Sequence, residues 1–278
     1  MNKISFNRRS LVAIAICLAG MAMCTACDDP DMDHADVVYP KGSKLKQISY
    51  VESVHSKEAG LIITQYEYDD QGRIRKVSQP MYESGTSMFK PGTIVGLYSY
   101  SDYDYNSEGQ IEKITYYHSN VNAGFLNLRT HTYTYDANRN KQKEVIVYPQ
   151  MLQHRVDSVR YFYDTNRLVR EEHYEDGYFG SEPWRSVRVN FIEYEYNSRG
   201  ELIVETNYSG EDNRAFQYSV HDYRNGLQVK TDVFTAGNNQ KIREITRYYD
   251  KNDNLIYLES EELSMVSSAM SYVVKYDY

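Results

Sequence analysis

The side chains best able to do chemistry in this 278-residue chain are scattered rather than gathered. Seven histidines, at 34, 55, 118, 131, 154, 173 and 221, could ligate a metal or move protons. None stands in the His-Glu-x-x-His spacing that puts two imidazoles on one helix face. No phosphate-cradling glycine loop and no Gly-x-Ser-x-Gly nucleophile elbow occurs either. Carboxylates are plentiful, with Glu171, Glu172, Glu175 and Asp176 close together, but abundance alone does not make the acid and nucleophile pair of a glycosidase. Asp250, Asn252, Asn254 and Glu261 echo positions 1, 3, 5 and 12 of a calcium loop, with Leu255 where that loop requires glycine. Asp and Asn are also what tight turns prefer, and a hairpin turn is the reading adopted. The sequence therefore predicts no catalytic residue, no metal site and no cofactor.

One segment has the composition of a recognition loop. Glu175 to Arg185 collects the single Trp of the chain with Tyr178 and Phe179, two glycines and several acids. Tyr178, Phe179 and Trp184 could stack on the apolar face of a sugar ring. The alternative is structural, with Trp184 plugging the sheet and packing on Tyr178.

The amino terminus predicts export. Lys3, Arg8 and Arg9 precede the apolar run from Leu11 to Ala19 and a stretch of small residues, the arrangement of a signal peptide over residues 1–26. The Arg8-Arg9 pair reads as the basic region of that signal. Met23-Cys24-Thr25-Ala26-Cys27 resembles the lipobox of bacterial lipoproteins, which implies a diacylglycerol thioether on a cysteine that becomes residue one of the mature chain. Ala26 before Cys27 is the small residue such cleavage favours, so Cys27 is the expected lipidation site and Cys24 the alternative. Asp28 to Asp36 is acidic with almost nothing to bury, and residues 27–43 are expected to form a solvated tether. An acidic cluster directly behind the lipidated cysteine resembles the surface-export signal of Bacteroidota lipoproteins. The expected location is therefore the cell surface of the outer membrane, with a periplasm-facing lipoprotein as the alternative.

Composition narrows the partners. The chain carries 31 basic and 39 acidic residues, and the signal removes three basic groups and no acid, so the exported part is more acidic still. That charge argues against nucleic acid and against a broad contact with anionic lipid, leaving the lipid anchor as the membrane attachment. All three cysteines lie at or before position 27, so no disulfide staples the exported domain. A mean hydropathy of −0.68 excludes a polytopic helical membrane protein. The 29 tyrosines compensate for a thin aliphatic supply, since each can bury a ring while keeping its hydroxyl at water.

Residues 44–278 are a repeat array forming one β domain. Tyr66-Glu67-Tyr68-Asp69-Asp70-Gln71-Gly72-Arg73-Ile74 returns from Tyr103 to Ile111 and from Tyr194 to Leu202. Weaker copies start at Tyr133, with Arg139 in the glycine slot, at Tyr161 and at Tyr248, and a shortened copy runs from His221 to Leu227. Each copy reads as a strand, a tight turn and a second strand. Alternation of Thr64, Tyr66 and Tyr68 with Gln65 and Glu67 has the period of a pleated strand. An Asp or Asn opens the turn and a Gly can take the left-handed conformation that closes it. Beyond the Gly, apolar residues recur three apart, as in Ile74 with Val77 and Ile111 with Ile114, which predicts a β-bulge beside each turn. Seven hairpins, an opening strand near Leu45 to Ser53 and a closing run from Tyr272 to Tyr278 predict an all-β antiparallel meander of 14–16 strands, curled or closed into a barrel-like sheet.

The Tyr66 to Ile74 motif resembles the YD repeat of the RHS family, whose repeats wind into large β shells. In size and signal the chain resembles a group of Bacteroidota lipoproteins built from such repeats, domains of unknown function with a porin-like β fold. The resemblance implies a barrel. It lacks the great length of RHS proteins and any autoproteolytic or toxin segment. A membrane-spanning porin is opposed by Arg73 to Gln79 and Asn140 to Glu144, which place charge or amide on both strand parities where a lipid-facing band needs every second residue apolar.

Because the short turns gather at one end, the segments between repeats gather at the other and carry the length variation. Variable loops on a rigid scaffold are the usual place for recognition. The expected function is a non-catalytic surface module binding a glycan or an envelope protein. A structural or assembly subunit of a surface complex and a hydrolase acting on extracellular polysaccharide are the alternatives.

Overall fold

Alternating segments rich in Tyr, Val, Ile and Thr are separated by Asp/Asn-led turns, and the chain can satisfy its backbone only by pairing each segment with the next. A computed structural model describes residues 38–278 except 55, 57–59, 89, 121–122, 151–154, 178–184 and 264–270. It contains β1 (Gln47–Val51), β2 (Ile62–Tyr68), β3 (Ile74–Tyr82), β4 (Ile94–Tyr105), β5 (Ile111–Asn120) and β6 (Gly124–Tyr135). These continue as β7 (Lys141–Val147), β8 (Val156–Asp164), β9 (Arg167–Gly177), β10 (Arg185–Tyr196) and β11 (Leu202–Ser209). The last five are β12 (Ala215–Arg224), β13 (Leu227–Thr235), β14 (Lys241–Tyr249), β15 (Leu255–Glu262) and β16 (Tyr272–Asp277). Every strand pairs antiparallel with its sequence neighbours, and β1 pairs with β16 to close a 16-stranded barrel. Closure removes the two open edges that a sheet this wide would otherwise expose.

The expected bulge is present in all seven hairpins and always at the second aromatic position of the motif. Tyr68 faces Ile74 while Tyr66 faces Val77, leaving one extra residue, Arg75, on β3. The same slip occurs at Tyr105, Tyr135, Tyr163, Tyr196, Tyr223 and Tyr249. It returns the apolar residues three apart to one face of the sheet.

Five of the turns share one device. The Asp69 carboxylate accepts from the backbone of Gln71 at 2.9 Å and of Arg73 at 2.8 Å. Asn106, Asp136, Asn197 and Asp250 repeat this double acceptance on their own turns. The residue three places on needs positive φ. Glycine supplies it at 72, 109 and 200, while Arg139 and Asp253 adopt φ of 67° against their side chains' preference.

Adjacent repeats are clasped by the bulge tyrosines. The Tyr105 hydroxyl donates to the Ile74 carbonyl, Tyr135 to Ile111 and Tyr196 to Leu168, each at 2.7 Å. In every case the acceptor lies in the first two residues of the second strand of the preceding repeat. Tyr249 donates likewise to Gln228 at 2.9 Å. The two chain segments at the seam obey the same rule, with Tyr68 donating to Leu45 at 2.7 Å and Tyr278 to Leu255 at 3.0 Å. Tyr276-Asp277-Tyr278 is thus the first half of an eighth motif, and residues 38–51 supply its second half. A repeat split between the two segments explains why the array closes and why it has sixteen strands.

Residues 38–43, assigned to the tether from composition, are docked in the structure. Tyr39 donates its backbone N–H to Asp250 Oδ2 at 2.8 Å, and its carbonyl accepts from Asn252 at 2.6 Å and Asn254 at 2.9 Å. Its hydroxyl donates to Asp277 at 3.1 Å, and its ring packs against Tyr278 with centroids 4.9 Å apart. Composition reads this stretch as polar tether because the partners lie more than 200 residues away.

The two barrel faces separate by exposure. Glu67, Asp104, Thr132, Thr134, Lys143 and Glu195, all mid-ladder and exposed, share one face. The face of Tyr66, Tyr103, Tyr133, Tyr161, Tyr194 and Tyr276 is half-buried throughout. The inner surface of a closed barrel is the occluded one, so the motif tyrosines line the inside. The outside carries ion clusters, including Arg170 with Glu172 at 2.6 Å and Glu193 at 3.3 Å, and Lys241 with Asp232 at 2.7 Å. Among the described residues, the mid-ladder positions Glu67, Asp104, Thr132, Lys143 and Glu195 make this face polar or charged.

Candidate functional site

The barrel has two unlike ends. One holds the short Asp/Asn turns and the docked Tyr39 segment. The other holds the ends of the long strands and the inter-repeat segments. Large apolar residues that are exposed fall almost entirely at that second end. Of the fourteen among the described residues, only Val38 and Phe162 lie toward the turns. The rest include Ile94, Val95, Tyr98, Phe125, Val187 and Phe216.

The best-developed part of this rim is built by β4, β5 and β6. Tyr100 and Tyr117 lie opposite each other in the β4–β5 ladder and stack with ring centroids 4.6 Å apart and planes 19° apart. Phe125, at the start of β6 and 41% exposed, meets Tyr100 edge-on at 4.9 Å. Lys76 places its ammonium 3.8 Å from the centre of the Tyr100 ring. Next to this group Tyr98, 52% exposed, sits at right angles to His118 at 4.5 Å. Cross-strand aromatic pairs recur as Tyr218 with Phe234 at 4.9 Å and as Phe191 with Tyr208 at 4.5 Å, where Arg170 and Arg188 cover the Phe191 ring and leave it 4% exposed. Cross-strand aromatics of this kind stiffen the sheet.

The interior carries a second polar constellation. His131 Nδ1 is hydrogen-bonded to Glu144, and both residues are only 8% exposed. The Tyr161 hydroxyl donates to the other Glu144 oxygen at 2.6 Å. Burial pushes the Glu144 carboxyl up, but the bonds from His131 and Tyr161 and the charge of Lys141 outweigh it and hold the acid below its usual range. Glu205, further round the same inner face, moves the opposite way because burial and the nearby Glu171 outweigh its bond from Asn207. Burial likewise pushes the Tyr103 phenol up to about 12, with Tyr116 and Tyr66 adding to the shift. Glu144 is therefore held ionised and the tyrosines neutral, a set of fixed donors and acceptors facing the lumen.

The residues singled out from sequence fall as follows. Tyr178, Phe179 and Trp184 lie outside the described residues, as do Cys24 and Cys27. Asp250, Asn252 and Asn254 form a hairpin turn whose side chains hold Tyr39, while Glu261 stands near the far end of β15. Sequence reasoning passed over Tyr98, Tyr100, Tyr117 and Phe125. Their signal was present as aromatic positions off the motif's own parity at the loop-side ends of strands.

No family model matches this chain. No curated protein matches it either. Among solved structures, it is similar to a porin-like protein from Bacteroides uniformis at 12% identity, covering 64% of this chain and 89% of that one with a TM-score of 0.34. It is also similar to TcdB2-TccC3-TEV at 12% identity and a TM-score of 0.31, covering 74% of this chain. The match to TcdB2-TccC3 has 12% identity and a TM-score of 0.24. This chain spans only 12% of TcdB2-TccC3-TEV and 16% of TcdB2-TccC3. Overlap at this level is partial, and the functional reading rests on the barrel's own geometry.

Proposed function

We propose that the barrel is a non-catalytic binding module displayed on the outer membrane, recognising a glycan or an envelope protein with its loop-end rim. The observation that carries this reading is the segregation of exposed large apolar residues to that rim, with the opposite end given to polar turns. Single exposed apolar residues need no explanation, whereas their gathering at one end of a rigid scaffold is what a contact surface there would require. Tyr98 and Phe125 are its accessible aromatics, and the Glu175 to Arg185 segment opens from the same end through β9 and β10. The lipidation signal at Cys27 supports the surface location, and the charged outside supports attachment through a lipid rather than through the wall.

The test is titration of the exported domain, residues 28–278, against a panel of host and microbial glycans and against envelope extract. Tyr98→Ala, Phe125→Ala and Trp184→Ala are run beside the parent. Both rim aromatics are about half exposed, so each removal is expected to cost about 1–2 kcal/mol of stability, and circular dichroism checks that the variants remain folded. Loss of at least tenfold in affinity by a folded variant supports the reading. Unchanged affinity in all three variants, with binding intact in the parent, moves the site away from the rim.

A further inference from the structure

The Tyr39 clamp fixes where the chain enters the barrel, and that has a consequence for how the barrel stands on a membrane. Both backbone polar groups of Tyr39 are bound by the 250–254 turn, its hydroxyl is bound by Asp277, and Lys41 lies 3.7 Å from Asp253. Asp250 is 4% exposed and Asn254 9% exposed, so the hold is buried rather than a loose surface contact.

We infer that the barrel is held with its turn end toward the bilayer and its apolar rim presented outward. The inference rests on lipidation at Cys27, twelve residues before the clamp. A solvated chain of that length has a root-mean-square span of about 20 Å and a fully extended reach of about 40 Å. The longest strands have 12 residues, so a barrel wall tilted as such walls are stands about 30 Å tall. For the rim to touch lipid, the tether would have to run the height of the wall, well beyond its ordinary span. The bilayer is the partner of the turn end, and the rim is left free for ligand.

The experiment uses the full lipidated protein in phosphatidylcholine vesicles that carry a headgroup spin label. No cysteine follows position 27, so Ser198→Cys at a turn and Ser84→Cys at the opposite end each give one site for a fluorophore. Quenching at least threefold stronger at position 198 than at 84 is expected. Equal quenching, or stronger quenching at 84, overturns the orientation. The double variant Asn252→Ala with Asn254→Ala should reduce the difference between the sites; an undiminished difference overturns the role of the clamp. Cys27→Ala should abolish vesicle attachment. Retained attachment overturns the inference while leaving ligand binding at the rim a separate measurement.

Discussion

Replacing one bulge tyrosine separates its hydroxyl from its ring. Tyr196 donates to the Leu168 carbonyl at 2.7 Å, and its ring is half-buried on the inner face. Tyr196→Phe deletes only the hydrogen bond and leaves the Leu168 carbonyl without that donor, a loss of about 1 kcal/mol. Tyr196→Ser also withdraws roughly 100 Å² of apolar surface from burial, worth about 2.5 kcal/mol more at 25 cal/mol per Å². The expected order is therefore parent, then Phe, then Ser, with Ser about 3.5 kcal/mol below the parent. Tyr105→Phe and Tyr135→Phe remove equivalent bonds in other repeats. The three sites share no partner, so their losses should add, giving about 3 kcal/mol for the triple Phe variant. Urea unfolding followed by circular dichroism measures this as a fall in midpoint at constant slope. A triple Phe variant as stable as the parent would refute the clasp, and the motif tyrosines would then act through their rings alone.

Two inner carboxylates should respond to pH in opposite senses. Glu144 has a depressed pKa in the folded state, so its contribution is present above its unfolded value of 4.5 and is lost as pH falls through the folded one. Glu144→Gln should destabilise the barrel at pH 7 by on the order of 1–3 kcal/mol and cost progressively less in acid. Glu205 is raised, so its favourable contribution belongs to low pH and is lost as pH rises through the folded value. Glu205→Gln should stabilise at pH 7 and not below pH 4, and thermal melts across that range decide both cases. Asp253 adopts a φ of 67° at an exposed turn position, and its carboxylate makes a 3.7 Å surface ion pair with Lys41. Asp253→Gly should raise stability by about 0.5–1 kcal/mol, and a lower melting temperature would mean that the ion pair outweighs the backbone strain.

Much of this architecture is local and was legible without coordinates. A strand of period two, an Asp or Asn that binds two backbone amides, and a residue at positive φ all act within nine residues. The motif from Tyr66 to Ile74 therefore declares its hairpin, and the spacing of Ile74 from Val77 declares its bulge. The arithmetic of seven hairpins and two flanking strands determines a strand number near sixteen. The signal segment proposed for residues 1–26 and the lipidation proposed at Cys27 rest on order along the chain alone.

Closure was not local. It depends on Tyr278, Asp277 and the Asp250 turn meeting residues 38–46 across more than 200 residues, and no periodicity reports such a meeting. The docked Tyr39 reads as tether for that reason. The rim behaves similarly: Tyr100, Tyr117 and Phe125 are on three strands, and only the ladder register stacks them. Which tyrosines face the lumen, which carboxylates are pushed up or held down, and which end gathers the exposed apolar side chains were decided by the closed barrel, because burial and proximity exist only once the strands are wound.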